Sequence, residues 1–255
     1  MLFNRKKSHP TAPPMPTAPA SAATAVDFGK VPVGLVSLVK SAAVSLEKKG
    51  LAGQRAAVYL VVDRSYSMRD YYRNGAVQDL ANQVLALSVN LDDDGVVPLI
   101  MFDSQPYPMV DVSLDRYTDV VAEQHRLHGG ELTMSGTEYT IAMRAVMEHY
   151  LASECTTPAL VIFQTDGDPQ DTNDTRLLLA QASKLPIFWS FVGFGPYKVS
   201  FLQELDNLPG RLVDNASYFH AGKRPAAVAD GHLYDGITKE FGPWLAAARS
   251  KNLLP

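Results

Sequence analysis

Apolar residues occur along this chain in two alternating patterns. Nearly unbroken apolar runs at residues 58–62, 96–102, 158–165 and 186–193 are rich in β-branched and aromatic side chains. Runs of this length that are apolar on both faces are typical of strands covered by helices on each side of a parallel sheet. The segments between them carry apolar residues at every third or fourth position, which predicts helices with one face on that sheet.

This order of elements predicts an α/β fold. Strands that alternate with helices form a doubly wound, mostly parallel central sheet with right-handed crossovers. We expect one short antiparallel edge strand at residues 107–112, where prolines flank the start, and a last short strand at residues 217–220. The predicted helices cover residues 35–46, 74–90, 115–127, 137–151, 175–184, 201–208 and 235–249.

Composition divides the chain into three regions. Residues 1–26 are rich in Pro and Ala and predict a disordered tail. Residues 27–54 are predicted to be an extension that packs on the domain, and residues 55–249 to be the α/β domain itself. Within the extension, residues 35–46 fit a helical stripe and also a strand alternation that Lys40 interrupts; we favour the helix. A chain of 255 residues with 46% hydrophobic composition can bury one large core.

Charge and cysteine content restrict the classes of partner. The formal net charge of -4 provides no general basic field, so we expect no nucleic-acid partner. Cys155 is the single cysteine, which excludes an intrachain disulfide. No apolar stretch reaches membrane-spanning length, and the basic N-terminus lacks the apolar core of a secretion signal. We therefore expect a cytoplasmic protein without a membrane span; no pattern indicates an oligomeric state.

Polar residues follow two of the buried strands. The run at residues 58–62 ends in Asp63, with Ser65 and Ser67 at the next alternate positions, and residues 158–165 are followed by Asp166. In open α/β sheets ligands bind at the carboxyl ends of the strands, where we expect Asp63 to face solvent. A carboxylate and two hydroxyls are hard oxygen donors that suit Mg²⁺ or Ca²⁺. The alternative interpretation is a polar turn after a strand.

Thr137 lies in a glycine-containing loop at the start of a predicted helix, where a threonine is also a common N-cap. A parallel sheet brings this loop and both carboxylates to one edge. The order D-x-S-x-S, distant Thr, then T-D-G resembles the metal-ion-dependent adhesion site of the von Willebrand factor A (vWA) family, over roughly residues 55–247. Residues 46–51 and 92–95 are similar to the bacterial TerF-type tellurium-resistance branch.

The resemblance implies a function as well as a fold. It implies a divalent cation, Mg²⁺ or alternatively Ca²⁺ or Mn²⁺, held by Asp63, Ser65, Ser67, Thr137 and Asp166. It also implies a protein partner that presents an acidic residue to the cation. The chain would then be a cytosolic, non-enzymatic adaptor related to tellurium resistance or stress response.

The chain departs from the family pattern at two positions of this loop. Tyr66 stands where the family usually has Gly, and Arg64 where a small or apolar residue is common. We expect both side chains to shape the rim of the site. Arg64 would hold an acidic group of the partner, and Tyr66 would add apolar area with a polar tip.

Three further patterns are weighed beside this interpretation. A haloacid-dehalogenase-type, Mg²⁺-dependent phosphatase also has an Asp after its first strand, but it needs a second Asp where this chain has Ser65, so the general acid is missing. His125 and His128 could form a metal pair, although surface histidines are the favoured interpretation. Asp168 could support the metal ligands, although a turn residue before a proline is the favoured interpretation.

Overall fold

The protein is described here by a computed structural model that covers residues 26–92 and 95–254. Within these residues six strands form one sheet in the order β3-β2-β1-β4-β5-β6. All neighbouring strands are parallel except β2 and β3, which pair antiparallel. The predicted α/β fold is therefore confirmed. The strands are β1 Ala57–Asp63, β2 Val96–Phe102, β3 Val110–Ser113, β4 Ala159–Thr165, β5 Ile187–Phe194 and β6 Ala216–Gly222.

Helices cover both faces of the sheet. In chain order they are α1 Val36–Lys48, α2 Arg69–Arg73, α3 Ala76–Leu91, α4 Val120–Leu127, α5 Tyr139–Ala152, α6 Thr172–Ala182, α7 Ser200–Asp206, α8 Asp230–Ile237 and α9 Phe241–Ser250. Within the described residues none of them is long and apolar enough to cross a membrane.

The apolar runs of β1 and β4 divide their side chains between two cores. Leu60 and Val62 join the core with α1, α3, α8 and α9, whereas Tyr59 and Val61 join the core with α5, α6 and α7. Each fully buried aliphatic side chain stabilises the fold by roughly 1.5–3 kcal/mol. Burial on both faces explains why these strands are apolar at successive positions, and it fixes the register that brings their carboxyl ends together.

Two predicted helices differ from the structure. The predicted helix at residues 235–249 is two helices, α8 and α9, because Pro243 lacks an amide hydrogen and its ring would clash with the carbonyl four residues earlier. The predicted helix at residues 115–127 begins only at Val120, since the chain first forms a bridge between Ser113 and Arg116 and passes Asp119 at a positive φ of 55°. The edge strand likewise starts at Val110 rather than at residue 107.

The N-terminal extension contains the helix that the sequence favoured. Leu35, Val39, Ala42 and Leu46 belong to the same core cluster as residues of α3 and α8, so α1 packs on the sheet-covering helices. The predicted tail at residues 1–26 lies, apart from residue 26, outside the described residues.

Candidate metal centre

Asp63 ends β1 at the carboxyl edge of the sheet, next to the end of β4. Its Oδ2 accepts a hydrogen bond of 2.6 Å from the hydroxyl of Thr165, and its Oδ1 accepts one of 2.6 Å from the amide of Ser65. The side chain of Tyr72 covers it and donates to its backbone carbonyl at 2.9 Å. Asp63 is fully buried, so the expectation of a solvent-facing carboxylate is wrong. The loop that follows β1 folds over its own aspartate.

A chain of hydroxyls connects this aspartate to the one after β4. The Oγ atoms of Ser65 and Ser67 lie 3.1 Å apart, and the Ser67 hydroxyl donates to Asp166 Oδ1 at 2.8 Å. Ser65 is buried, whereas Ser67 is exposed. Four of the five predicted ligands therefore form one hydrogen-bonded group that runs from a buried carboxylate to the surface.

The loop that contains Thr137 contacts both of these segments through its backbone. The carbonyl of Ser135 accepts from the amide of Tyr66 at 3.2 Å, and the carbonyl of Thr137 accepts from the amide of Gln170 at 2.8 Å. The N-cap position of α5 belongs to Glu138 rather than Thr137. This placement leaves Thr137 between the two carboxylate-bearing loops, without the capping role that was its alternative interpretation.

Asp171 caps α5 in place of a local residue. Its two carboxylate oxygens accept from the amides of Tyr139 and Thr140 at 3.0 and 2.9 Å. Free amides at a helix N-terminus are stabilised by an anion, and here the anion comes from the loop after β4. Sequence reasoning missed this contact because the partners are more than thirty positions apart.

Burial determines the electrostatics of the two candidate carboxylates. It raises the pKa of Asp63 to about 7, an effect that the hydrogen bond from Thr165 partly offsets and the charge of Asp166 increases. Burial also raises the pKa of Asp166, while the hydrogen bond from Ser67 opposes the rise. Both shifts have the sign expected for a carboxylate whose charged form is desolvated.

The donor set fits a hard divalent cation. It consists of carboxylate and hydroxyl oxygens, which Mg²⁺ and Ca²⁺ prefer, and it lacks the nitrogen and sulfur atoms that softer metals select. Within residues 26–92 and 95–254, no three His, Cys, Asp or Glu side chains cluster as a metal site. A site on this edge would therefore depend on Ser and Thr hydroxyls in addition to its two carboxylates.

The two departures from the family pattern point in different directions. Arg64 is fully buried and forms an ion pair of 3.2 Å with Asp103, so the prediction that it lies on the rim is wrong. Its side chain turns away from the site because alternate residues of an extended segment point to opposite sides. Tyr66 is 56% exposed, with the guanidinium of Arg69 stacked 4.6 Å from its ring centroid. Of these two side chains, Tyr66 is the one that a partner can contact.

The other polar candidates have structural contacts. Asp168 accepts from the amide of Phe201 and from the Ser200 hydroxyl, both at 3.0 Å, and so fixes the start of α7. His125 stacks on Tyr72 with ring centroids 4.5 Å apart, and burial lowers its pKa.

His128 behaves in the same way, with a different partner. It packs on Tyr107 at 4.6 Å, and burial lowers its pKa as well. The two histidines are thus half-buried parts of separate aromatic contacts rather than freely exposed surface residues.

Six strands wound in this order, with oxygen donors gathered at their carboxyl edge, define a Rossmann-like α/β domain. Residues 55–254 match the family vWA-TerF-like, described as the vWA found in the TerF C terminus. The chain therefore belongs to the vWA family, in its TerF-like branch, as the sequence motifs predicted.

Two relatives agree with this assignment. The protein YcbR of Bacillus subtilis (strain 168) is 32% identical over 220 residues, which cover 84% of this chain and 88% of YcbR. Among solved structures, the SpRpn10 VWA domain is similar with a TM-score of 0.52 and 11% identity, over 71% of this chain and 93% of that domain. The latter similarity concerns the fold alone.

Proposed function

We propose that this protein is a metal-dependent adaptor that binds an acidic residue of a protein partner through a divalent cation. The observation that supports this most is the hydrogen-bonded group of Asp63, Ser65, Ser67 and Asp166 at the carboxyl edge of the sheet. These residues would hold the cation together with Thr137. The assignment of these five ligands, and of Mg²⁺ over Ca²⁺ or Mn²⁺, is part of the proposal.

The chain's own residues prepare this edge for a cation. Thr165 and the amide of Ser65 occupy one lone-pair direction on each Asp63 oxygen and so fix the orientation of the carboxylate. A bound divalent cation would supply a positive centre that accepts a further carboxylate oxygen. Because three of its five protein ligands would be neutral hydroxyls, the cation would keep coordination positions that a partner carboxylate can fill.

The surface beside the site fits a partner segment in which an apolar residue accompanies the acid. Tyr66 is exposed in the loop of Ser65 and Ser67, and Tyr197, which is 82% exposed, precedes Lys198 in the loop after β5. Residues 166–168 and 195–200 line a cavity of about 230 Å³. An apolar side chain could enter this cavity while Lys198 offers a positive charge to a second acidic group.

Affinity capture tests the proposal directly. The full chain is immobilised and exposed to lysate with Mg²⁺ and again with a chelator, and the Asp63→Ala variant is the matched control. We expect a specific protein to be retained only by the unchanged chain and only with Mg²⁺. Retention that is the same with chelator, or the same on Asp63→Ala, would contradict metal-dependent binding.

When a partner has been identified, Tyr66→Gly is expected to reduce its binding free energy by ~1 kcal/mol or more, the scale of an interface hot spot. The affinity for Mg²⁺ should change by less than about tenfold, since Tyr66 supplies no predicted ligand. The control is Leu151→Ala, which removes an exposed apolar side chain at the end of α5, near the opposite edge of the sheet. Equal losses for both variants would exclude Tyr66 from the interface.

The physiological setting belongs to the same proposal. Membership of the TerF-like branch supports a role in tellurium resistance or stress response, and a single cysteine suits a reducing, cytoplasmic compartment. A strain that lacks the protein should grow less well with tellurite and be rescued by the unchanged chain but not by Asp63→Ala. Equal rescue by both would separate the stress role from the metal site.

We also propose that the chain is not an enzyme. Ser65 occupies the position where a haloacid-dehalogenase-type phosphatase needs a second aspartate, and its hydroxyl contacts Ser67. Without that acid no group protonates the leaving oxygen. We expect no phosphate release from p-nitrophenyl phosphate with Mg²⁺; release that Asp63→Asn abolishes would establish the phosphatase instead.

A further inference from the structure

Arg64 follows Asp63 directly, yet its guanidinium is fully buried. One arm, Nη1, donates to Asp103 Oδ2 at 3.2 Å and to the hydroxyl of Tyr107 at 2.7 Å, and the guanidinium carbon lies 4.9 Å from the Tyr107 ring centroid. A buried cation is tolerated only where a counter-ion and hydrogen bonds replace its hydration. Both come here from the loop that follows β2.

The other arm contacts a different loop. Nη2 donates to the carbonyls of His128 and Gly130 at 2.8 and 2.7 Å and to the hydroxyl of Thr133 at 2.6 Å. The turn that presents these acceptors needs glycine, because Gly129 has a φ of 89° and a Cβ there would lie 2.5 Å from the Thr133 side chain. This turn wraps around the guanidinium.

Backbone contacts extend the connection to Thr137. The amide of Arg64 donates to the carbonyl of Phe102 at 2.7 Å, and the carbonyl of Asp103 accepts from the amide of Glu138 at 3.0 Å. Residues 128–138 are thus attached at one end to the Arg64 side chain and at the other to its ion-pair partner. Thr137 is the residue before the second attachment.

We propose that Arg64 is a positioning residue for the metal site: its forked guanidinium holds residues 128–138 so that Thr137 stays beside the loop of Ser65 and Ser67. The inference rests on the proposed function, since it assigns to Arg64 the pre-ordering of a ligand that the site would use. A planar fork with fixed donors suits this task, because it binds acceptors of two loops in one rigid geometry. Ordering the loop before the cation binds lowers the entropic cost of binding.

A double-mutant cycle tests the coupling. Arg64→Gln is expected to weaken Mg²⁺ binding, measured by calorimetry, by about 10- to 100-fold, the range for residues that orient metal ligands. Thr137→Ala should weaken binding about tenfold in the unchanged chain and less than about twofold in the Arg64→Gln background. Fully additive losses would overturn the inference, because a merely structural Arg64 would leave the contribution of Thr137 intact.

Arg73 provides a matched control. It forms an exposed, two-pronged ion pair with Glu131, which belongs to the same loop. Solvent screens an exposed pair even in this favourable two-pronged geometry, so we expect it to hold the loop far less strongly than the buried guanidinium of Arg64 does. Arg73→Gln should therefore leave both Mg²⁺ affinity and the effect of Thr137→Ala unchanged; equal decoupling by Arg73→Gln would show that the buried arginine has no special role.

Hydrogen exchange in the metal-free full chain gives an independent readout. The hydrogen bonds donated by the amides of Tyr66, Glu138 and Gln170 each join residues 128–138 to a neighbouring loop. Arg64→Gln should speed the exchange of these three amides at least about tenfold relative to amides in β5. Unchanged exchange overturns the inference. If the unchanged chain binds no Mg²⁺, the proposed function fails, whereas this experiment still shows whether Arg64 holds the loop.

A second variant distinguishes the loss of the forked guanidinium from a loss of folding. Arg64→Lys keeps a cation for Asp103 but lacks the second arm that reaches His128 and Gly130. It should fold, judged by circular dichroism, and should reproduce the faster exchange and weaker Mg²⁺ binding. Unaltered values for Arg64→Lys would show that charge alone is sufficient and would overturn the role of the fork.

Discussion

Asp63→Ala is expected to abolish saturable binding of Mg²⁺, Mn²⁺ and Ca²⁺ while the domain stays folded. Asp63 is the buried end of the hydrogen-bonded group that would hold the cation, so the affinity should fall by at least about 100-fold, more than for a residue that only orients a ligand. Folding should survive because the lost hydrogen bonds are offset by removal of a desolvated charge. The Thr165 hydroxyl also keeps a possible acceptor in the Gly167 carbonyl, 3.3 Å away.

Calorimetry and thermal melting with and without Mg²⁺ measure these two effects separately. The unchanged chain should melt at a higher temperature with saturating Mg²⁺, as any ligand that binds only the folded state requires, and Asp63→Ala should lose this increase. Asp63→Asn is the isosteric control, since it keeps shape and one oxygen but removes the charge. A metal-free Asp63→Ala protein that is unfolded would show that the carboxylate is structural, and an unchanged affinity would remove Asp63 from the site.

Asp103→Ala is expected to cause the largest loss of stability, about 3–5 kcal/mol in the free energy of unfolding, because it leaves the guanidinium of Arg64 buried without its counter-ion. Urea denaturation of the metal-free protein measures this quantity. The control is Asp111→Ala, which removes an exposed carboxylate from β3 and should change stability by less than ~0.5 kcal/mol.

We expect that removing both charges restores part of the stability lost in Asp103→Ala. The double variant Arg64→Met with Asp103→Leu removes both charges, so it should be more stable than Asp103→Ala alone, since apolar pairs of similar volume replace buried ion pairs well. A loss below about 1 kcal/mol for Asp103→Ala would mean that water or the Tyr107 hydroxyl already stabilises the guanidinium sufficiently.

The carboxylates at the carboxyl edge of the sheet differ in how their charge is compensated. Three strands that end side by side, β2, β1 and β4, are followed or ended by the carboxylates of Asp103, Asp63 and Asp166. Arg64 forms its ion pair with the first of these. Burial raises the pKa values of the other two, which are the carboxylates that would hold the cation in the proposed function.

Local sequence was sufficient to determine the elements and their order. Strands β1, β2, β4 and β5 coincide within one or two residues with the predicted runs, because burial on both faces requires apolar side chains at successive positions. The positions of Asp63, Ser65 and Ser67 after one strand and of Asp166 after another could be recognised because each apolar run ends abruptly at a polar residue. Sequence alone also indicated the family, since its motif consists of short local patterns in a fixed order.

Only the tertiary structure decided where the remaining polar side chains go. Arg64 was expected on the rim and is buried, because its partners Asp103 and residues 128–133 lie about forty to seventy positions away and meet it only when the sheet is assembled. The hydrogen bond from Thr165 to Asp63 and the contact of Asp171 with α5 have the same origin. Periodicity reports which side of an element is apolar; it carries no information about which distant loop supplies a hydrogen-bond partner, and that is settled by the packing of the whole chain.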